Sequence, residues 1–157
     1  MSDNPSCERL EAIDHINLVV HDLETSAEFF EELGFERIGE GDLRGEWVDK
    51  VVGLDGVDAR FIALGLPMGQ AALELLSYRH PQGESDPDKS RANQEGFRHV
   101  AFKVSGIDFW HEKLEKMGVE CLSDVQEVPN YRGKRMFYFI GPEGVLLEMA
   151  EYPDEET

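Results

Sequence analysis

The chain has 157 residues, with 33 Asp or Glu against 15 Lys or Arg and a formal net charge of −18. A field of that sign repels phosphate backbones and anionic headgroups, so neither nucleic acid nor a membrane is an expected partner. No stretch approaches the ~20 apolar residues of a membrane span. Cys7 and Cys121 make no disulfide framework, and the polar start MSDNPSCERLE is not a signal peptide, so a cytoplasmic domain with reduced thiols is expected.

After a polar leader over 1–10, the stretch AIDHINLVV at 12–20 reads as a strand. Alternation puts His15, Asn17 and Val19 on one face and Ile16, Leu18 and Val20 on the other. Asp22 is a natural N-cap for a helix whose Leu23, Ala27, Phe30 and Leu33 recur at helical spacing, and Gly34 stops it. The segment GDLRGEWVDKVVGLDG at 41–56 is expected to hold a short helix or a flap. PMGQAALELLSY at 67–78 is a turn and a strand, with Glu74 set between Leu73 and Leu75. Residues 80–95 have the composition of a linker. Then GFRHVAFKV at 96–104 is a second strand with a histidine, His99, sharing a face with Ala101 and Lys103. Ser105 with Asp108 resembles a capping box for the next helix, which Gly118 ends. Cys121 follows in an expected strand. The basic cluster YRGKR at 131–135 leads into FYFIGPEGVLLEMAEY, where Glu148 stands on the last strand, and an acidic tail closes the chain over 153–157.

The chain repeats itself. With His15 laid over His99, HINLVVHDLETSAEFFEELGFE runs without a gap against HVAFKVSGIDFWHEKLEKMGVE, apolar on apolar and Gly34 on Gly118. The closing strands match too, with Glu74 over Glu148. Each copy reads as β-α-β-β-β, one over 11–79 and one over 96–152, within a single domain spanning 11–152. The first copy is longer, and 41–56 takes up the excess.

Four strands therefore each put one titratable group, His15, Glu74, His99 or Glu148, on the face away from the helices. If the two sheets curve around a common cleft, those faces line it. Unpaired carboxylates in such a cleft are costly. One divalent cation resolves the arrangement, because two neutral imidazoles and two carboxylates balance its charge. The nitrogen and oxygen mix suits Ni, Co, Mn, Fe or Zn. His21, His80 and His111 have no counterpart in the other copy and are read as structural. In so acidic a chain, Arg132, Lys134 or Arg135 is expected to anchor an anionic group of a small-molecule substrate.

IDHINLVVHDLETSAEFFEELGF and FYFIGPEGVLLEMAEY resemble the opening and closing modules of the vicinal oxygen chelate superfamily, over about residues 11–152. That superfamily holds glyoxalase I, methylmalonyl-CoA epimerase, extradiol dioxygenases, and fosfomycin and bleomycin resistance proteins. The resemblance implies an α+β fold of paired βαβββ modules, forming a U-shaped open barrel around a metal cleft. The ligand pattern His15, Glu74, His99 and Glu148 is similar to that of glyoxalase I and the epimerase. It implies a metal-dependent lyase or isomerase that removes a proton next to a carbonyl, with Glu148 as the first candidate base and Glu74 as the second. The segment around Tyr138 resembles the extradiol signature, which implies an Fe(II) dioxygenase as the alternative and gives Tyr138 a place at the substrate. A non-catalytic binding or resistance protein of the same fold is the third reading. Glyoxalase I carries an asparagine for glutathione where Arg79 stands here, so glutathione is not implied. Open sheet edges point to a homodimer.

Overall fold

The computed structural model describes residues 9–69, 71–129, 131 and 133–153. The leader up to residue 8 with Cys7, Arg132 of the basic cluster, and residues 154–157 of the acidic tail lie outside the described residues.

The elements run β1 (His15–Val19), α1 (Leu23–Glu32), β2 (Glu36–Arg44), α2 (Glu46–Val52), β3 (Asp58–Gly65) and β4 (Ala72–His80). They continue with β5 (His99–Lys103), α3 (Ile107–Lys116), β6 (Gln126–Glu127), β7 (Arg135–Ile140), a 3-10 turn at Pro142–Gly144, and β8 (Leu146–Glu151). Two compact units meet in sequence between Gly83 and Glu84. The first unit has a four-stranded sheet in the order β1-β4-β3-β2, and the second has β5-β8-β7-β6. Within each sheet the first and last strands of the unit pair in parallel and the other neighbours are antiparallel. The fold is α+β, with the βαβββ module present twice.

The repeat dictates the cores. Phe30 on α1 and Leu114 on α3, matched in sequence, are both fully buried, as are Ile62, Leu64 and Leu75 in the first unit and Phe139 and Leu147 in the second. In each unit this apolar face of the sheet lies under its long helix. Asp22 caps α1 as its position predicts, its carboxylate accepting from the Thr25 amide at 3.0 Å and the Thr25 hydroxyl at 2.9 Å.

The second long helix starts differently. The expected Ser105–Asp108 box does not form, because Gly106 takes the N-cap place in the left-handed region with φ 70° and no side-chain cap. Glu151 substitutes from the end of β8, accepting from the amides of Gly106 and Ile107. A carboxylate there satisfies orphan donors and suits the helix dipole.

The excess segment of the first unit is the short helix α2. Val48 is its buried residue, packed with Val57, Ala59 and Leu76 against Leu43, Phe61 and Tyr78. Leu76 and Tyr78 share the Glu74 side of β4. Thus α2 covers one end of the sheet face opposite α1. The α1 side beyond that helix carries an ion-pair chain instead. Arg79 reaches Asp58 at 2.6 Å and Asp42 at 2.8 Å, and Arg44 reaches Asp58 at 2.7 Å.

Candidate metal centre

In the first unit β1 runs beside β4 with Asn17 opposite Glu74, which places His15 one step diagonal to that carboxylate. His15 Nε2 lies 3.9 Å from Glu74 Oε1. In the second unit Ala101 stands opposite Glu148, and His99 takes the same diagonal, with Nε2 3.0 Å from Glu148 Oε2. One register rule thus builds the same histidine–glutamate pair twice. The side chains of Glu74 and Glu148 are 28% and 7% exposed, and those of His15 and His99 are 44% and 31%. Both pairs are accessible from the side away from α1 and α3.

The pairs differ in their supports. His15 Nδ1 is 2.7 Å from Asp14 Oδ2. The Asp14 hydrogen bond, first, and then the Glu74 charge hold the His15 imidazole above its ordinary range. An imidazole held at Nδ1 by a carboxylate presents Nε2 to a metal. The matching position before His99 is Arg98. Asn17 Nδ2 donates to Glu74 Oε1 at 3.1 Å, whereas Ala101 offers Glu148 nothing polar. Instead Tyr138 stands opposite Glu148 on β7, with its ring 4.9 Å from the His99 ring. Burial, and then the Glu148 charge, push the Tyr138 phenol up, while Lys134 works the other way.

The donor set fits a borderline divalent cation, since each pair offers one imidazole nitrogen and one carboxylate. Each unit supplies two donors. Among the described residues, no group of three His, Cys, Asp or Glu side chains gathers to hold a metal.

The other candidates divide. Lys134 precedes β7 on the Glu148 side, against the rings of Tyr131 and Tyr152. Arg135 does not join it. Alternation turns Arg135 to the opposite face, where it pairs with Asp108 on α3 and with Glu151 at 3.4 Å. There it braces Glu151, the carboxylate that caps α3. His111 is structural as expected, with Nε2 3.0 Å from the Ser123 carbonyl and its ring 4.8 Å from that of Phe137. A surface pocket of about 350 Å³ on the α1 side, lined by His21, Arg60, Ser77 and Arg79 among others, holds none of the four donors. Asn17 and Asp14 were missed from sequence. Asn17 shares the His15 face, but its partner lies 57 residues away. Asp14 carried only its adjacency to a candidate ligand.

A duplicated βαβββ module with a histidine–glutamate pair on matching strands defines the vicinal oxygen chelate class of protein. The family model of the Glyoxalase/Bleomycin resistance protein/Dioxygenase superfamily matches residues 12–149, and the chain belongs to that superfamily. A glyoxalase family protein from Bacillus cereus superposes with a TM-score of 0.84 at 30% identity, over 93% of this chain and 97% of that one. The manganese- and sulfate-bound fosfomycin resistance protein FosX of Listeria monocytogenes superposes with a TM-score of 0.58 at 19% identity, over 93% and 98%, and shares the fold. Among curated proteins, the uncharacterized protein YaeR of Escherichia coli is 37% identical over 53% of this chain and 60% of its own length. Glyoxalase I of Saccharomyces cerevisiae is 33% identical over 58% of this chain, which spans 29% of the yeast protein.

Proposed function

We propose that the chain is a metal-dependent lyase or isomerase that moves a proton next to a carbonyl group. The observation that carries this reading is the histidine–glutamate diagonal built at the same register in both units. His15, Glu74, His99 and Glu148 are the residues that would hold one divalent ion, a first unit and a second unit completing the set within one chain or across a homodimer. The bound ion supplies Lewis-acid polarisation of the substrate carbonyl. Manganese in FosX and the yeast glyoxalase I relative support a metal of this kind.

The two glutamates take different parts. Glu74 is tied by the Asn17 amide and serves as a fixed donor. Glu148 is buried and has no amide partner on β5, so it is the carboxylate that accepts a proton from the substrate and returns it. Tyr138, opposite Glu148 and against His99, holds a substrate oxygen or shields the carboxylate from water. That placement also favours a second reading, an Fe(II) extradiol-type dioxygenase.

The test is hydrogen exchange in D₂O on a panel of 2-oxo acids, 2-hydroxy ketones and acyl thioesters, followed by NMR. The proposal expects exchange at the carbon next to the carbonyl with Ni, Co, Mn or Zn and none after chelation or in Glu148→Gln. Oxygen uptake with catechols and Fe(II) alone would replace it with the dioxygenase. Ligand binding that survives both chelation and His99→Ala would make the chain a binding protein.

A further inference from the structure

Beyond Glu148, the same face of the second unit carries residues that the proposed metal chemistry leaves unused. Lys103 at the end of β5, Lys134 just before β7 and Tyr152 just after β8 all share the Glu148 side by strand alternation. Lys134 Nζ lies 4.9 Å from the centre of the Tyr152 ring and 5.5 Å from that of Tyr131. Lys103 Nζ lies 5.7 Å from the Tyr152 ring on its other flank. The two tyrosine rings meet edge to face at 6.1 Å. Among the described residues neither ammonium pairs with a carboxylate, while Arg37, Arg44, Arg60, Arg79 and Arg135 all do. In a chain with 33 acidic residues and 15 basic ones, two ammoniums that flank one ring with no ion pair among the described residues are a specific arrangement; a hydrogen bond with Tyr152 and, more weakly, the Glu148 charge favour the Lys134 ammonium.

The first unit is apolar at the same place. There Val19 stands for Lys103, Ala59 for Lys134 and Tyr78 for Tyr152; the helix α2 packs Val48 over Ala59 and against Tyr78, while Val19 stays exposed. Among the described residues the second unit has no helix between β6 and β7 to do this.

We propose that Lys103, Lys134, Tyr131 and Tyr152 form an anion-binding platform for the carboxylate or phosphate end of the substrate. Lysine ammoniums act as point charges and accept either oxyanion, and the tyrosine faces hold them in place. Lys103 stands level with Ala150, two residues past Glu148, and Tyr152 is four past it, so the anion sits roughly 7–13 Å along the strand. The substrate class is then a carbonyl compound with a remote anionic end rather than a compact keto acid. Calling the anion part of the substrate rests on the proposed metal reaction, whereas the platform itself needs no metal.

The experiment uses chelator-treated full-length protein at constant ionic strength. Inorganic phosphate and, in a separate arm, acetate are titrated and followed by ¹H–¹⁵N NMR. Saturable shifts centred on Lys103, Tyr131, Lys134 and Tyr152 are expected in at least one arm, with a dissociation constant on the order of millimolar. The double variant Lys103→Met, Lys134→Met should bind about tenfold more weakly or worse. The charge-matched Lys50→Met, Lys116→Met control should bind as the parent does, and the double arginine variant at 103 and 134 should retain binding. Absent or scattered shifts in both arms, or equal loss in the control, would overturn the platform. Metal titration of the same samples keeps the two ideas apart. Phosphate binding without metal binding sinks the metal reaction and leaves the platform, and the reverse result does the opposite.

Discussion

The two units share a sheet order and a histidine–glutamate diagonal, and they differ in what surrounds it. In the first unit, Asp14 holds His15, Asn17 holds Glu74, and α2 closes the end of the face. In the second unit, Ala101 and Tyr138 flank Glu148, and the end of the face carries Lys103 and Lys134 around Tyr152, with no helix over it among the described residues. Each copy carries one histidine–glutamate pair. On the proposed function, the better-braced pair of the first copy would serve mainly to hold the ion, and the second copy would carry the proton transfer and the recognition of substrate.

The largest effects should separate the glutamates. Glu148→Gln is expected to lower turnover by on the order of a thousandfold, as loss of a general base does. Glu74→Gln should act mainly through metal affinity, so that added metal restores much of its rate. Steady-state kinetics against metal concentration check this, and equal rescue of both variants would erase the division of roles. Stability should follow the repeat rather than the division. Phe30→Ala and Leu114→Ala each empty a fully buried core position and should each cost about 3–4 kcal/mol in denaturant unfolding. A much smaller loss in one unit would show that its core collapses around the gap.

Smaller effects concern the supports. Asp14→Asn should weaken metal binding by roughly tenfold, the lower end for loss of an outer-shell partner because Asp14 is exposed. Calorimetric titration reads this directly, and unchanged affinity would mean that the contact does not orient His15. The smallest effect is the pH response of the ion-pair chain in the first unit. Hydrogen bonds from Arg79 and then Arg44 hold the Asp58 carboxyl down to about 2, against 3.8 unperturbed. A carboxyl lowered on folding adds stability that is complete above 3.8 and lost as pH falls through about 2. NMR titration of Asp58 should show this shift, which should shrink in Arg79→Ala and vanish only when Arg44 is replaced as well. The second unit's Asp108, lowered by Arg135, should respond in the same direction.

The parts legible in the sequence were those written locally and twice. The histidine strands, the helix faces around Phe30 and Leu114, the Asp22 cap and the glycine stops all follow from spacing within about 20 residues. The repeat singled out four isolated polar residues, and the structure shows them as two histidine–glutamate pairs at the same register. What stayed hidden depends on register between distant strands. Glu151 caps α3 from 45 residues away, so the nearer Ser105 and Asp108 looked like the better cap. Arg135 and Lys134 are neighbours in a basic cluster, yet they face opposite sides of the sheet. Their sides are fixed by pairing across the Pro142–Gly144 turn, which sets Tyr138 against Glu148. Asn17 and Lys103 could be placed on the ligand faces by alternation, but their partners could not.

In the proposed function, one metal ion uses both histidine–glutamate pairs. The direct measurement is calorimetric metal titration of untagged, chelator-treated protein beside its His15→Ala and His99→Ala variants. One divalent ion per chain is expected in the parent, with binding weakened severely by either substitution alone. No binding in the parent, or binding that persists at full stoichiometry when one histidine is removed, would contradict it.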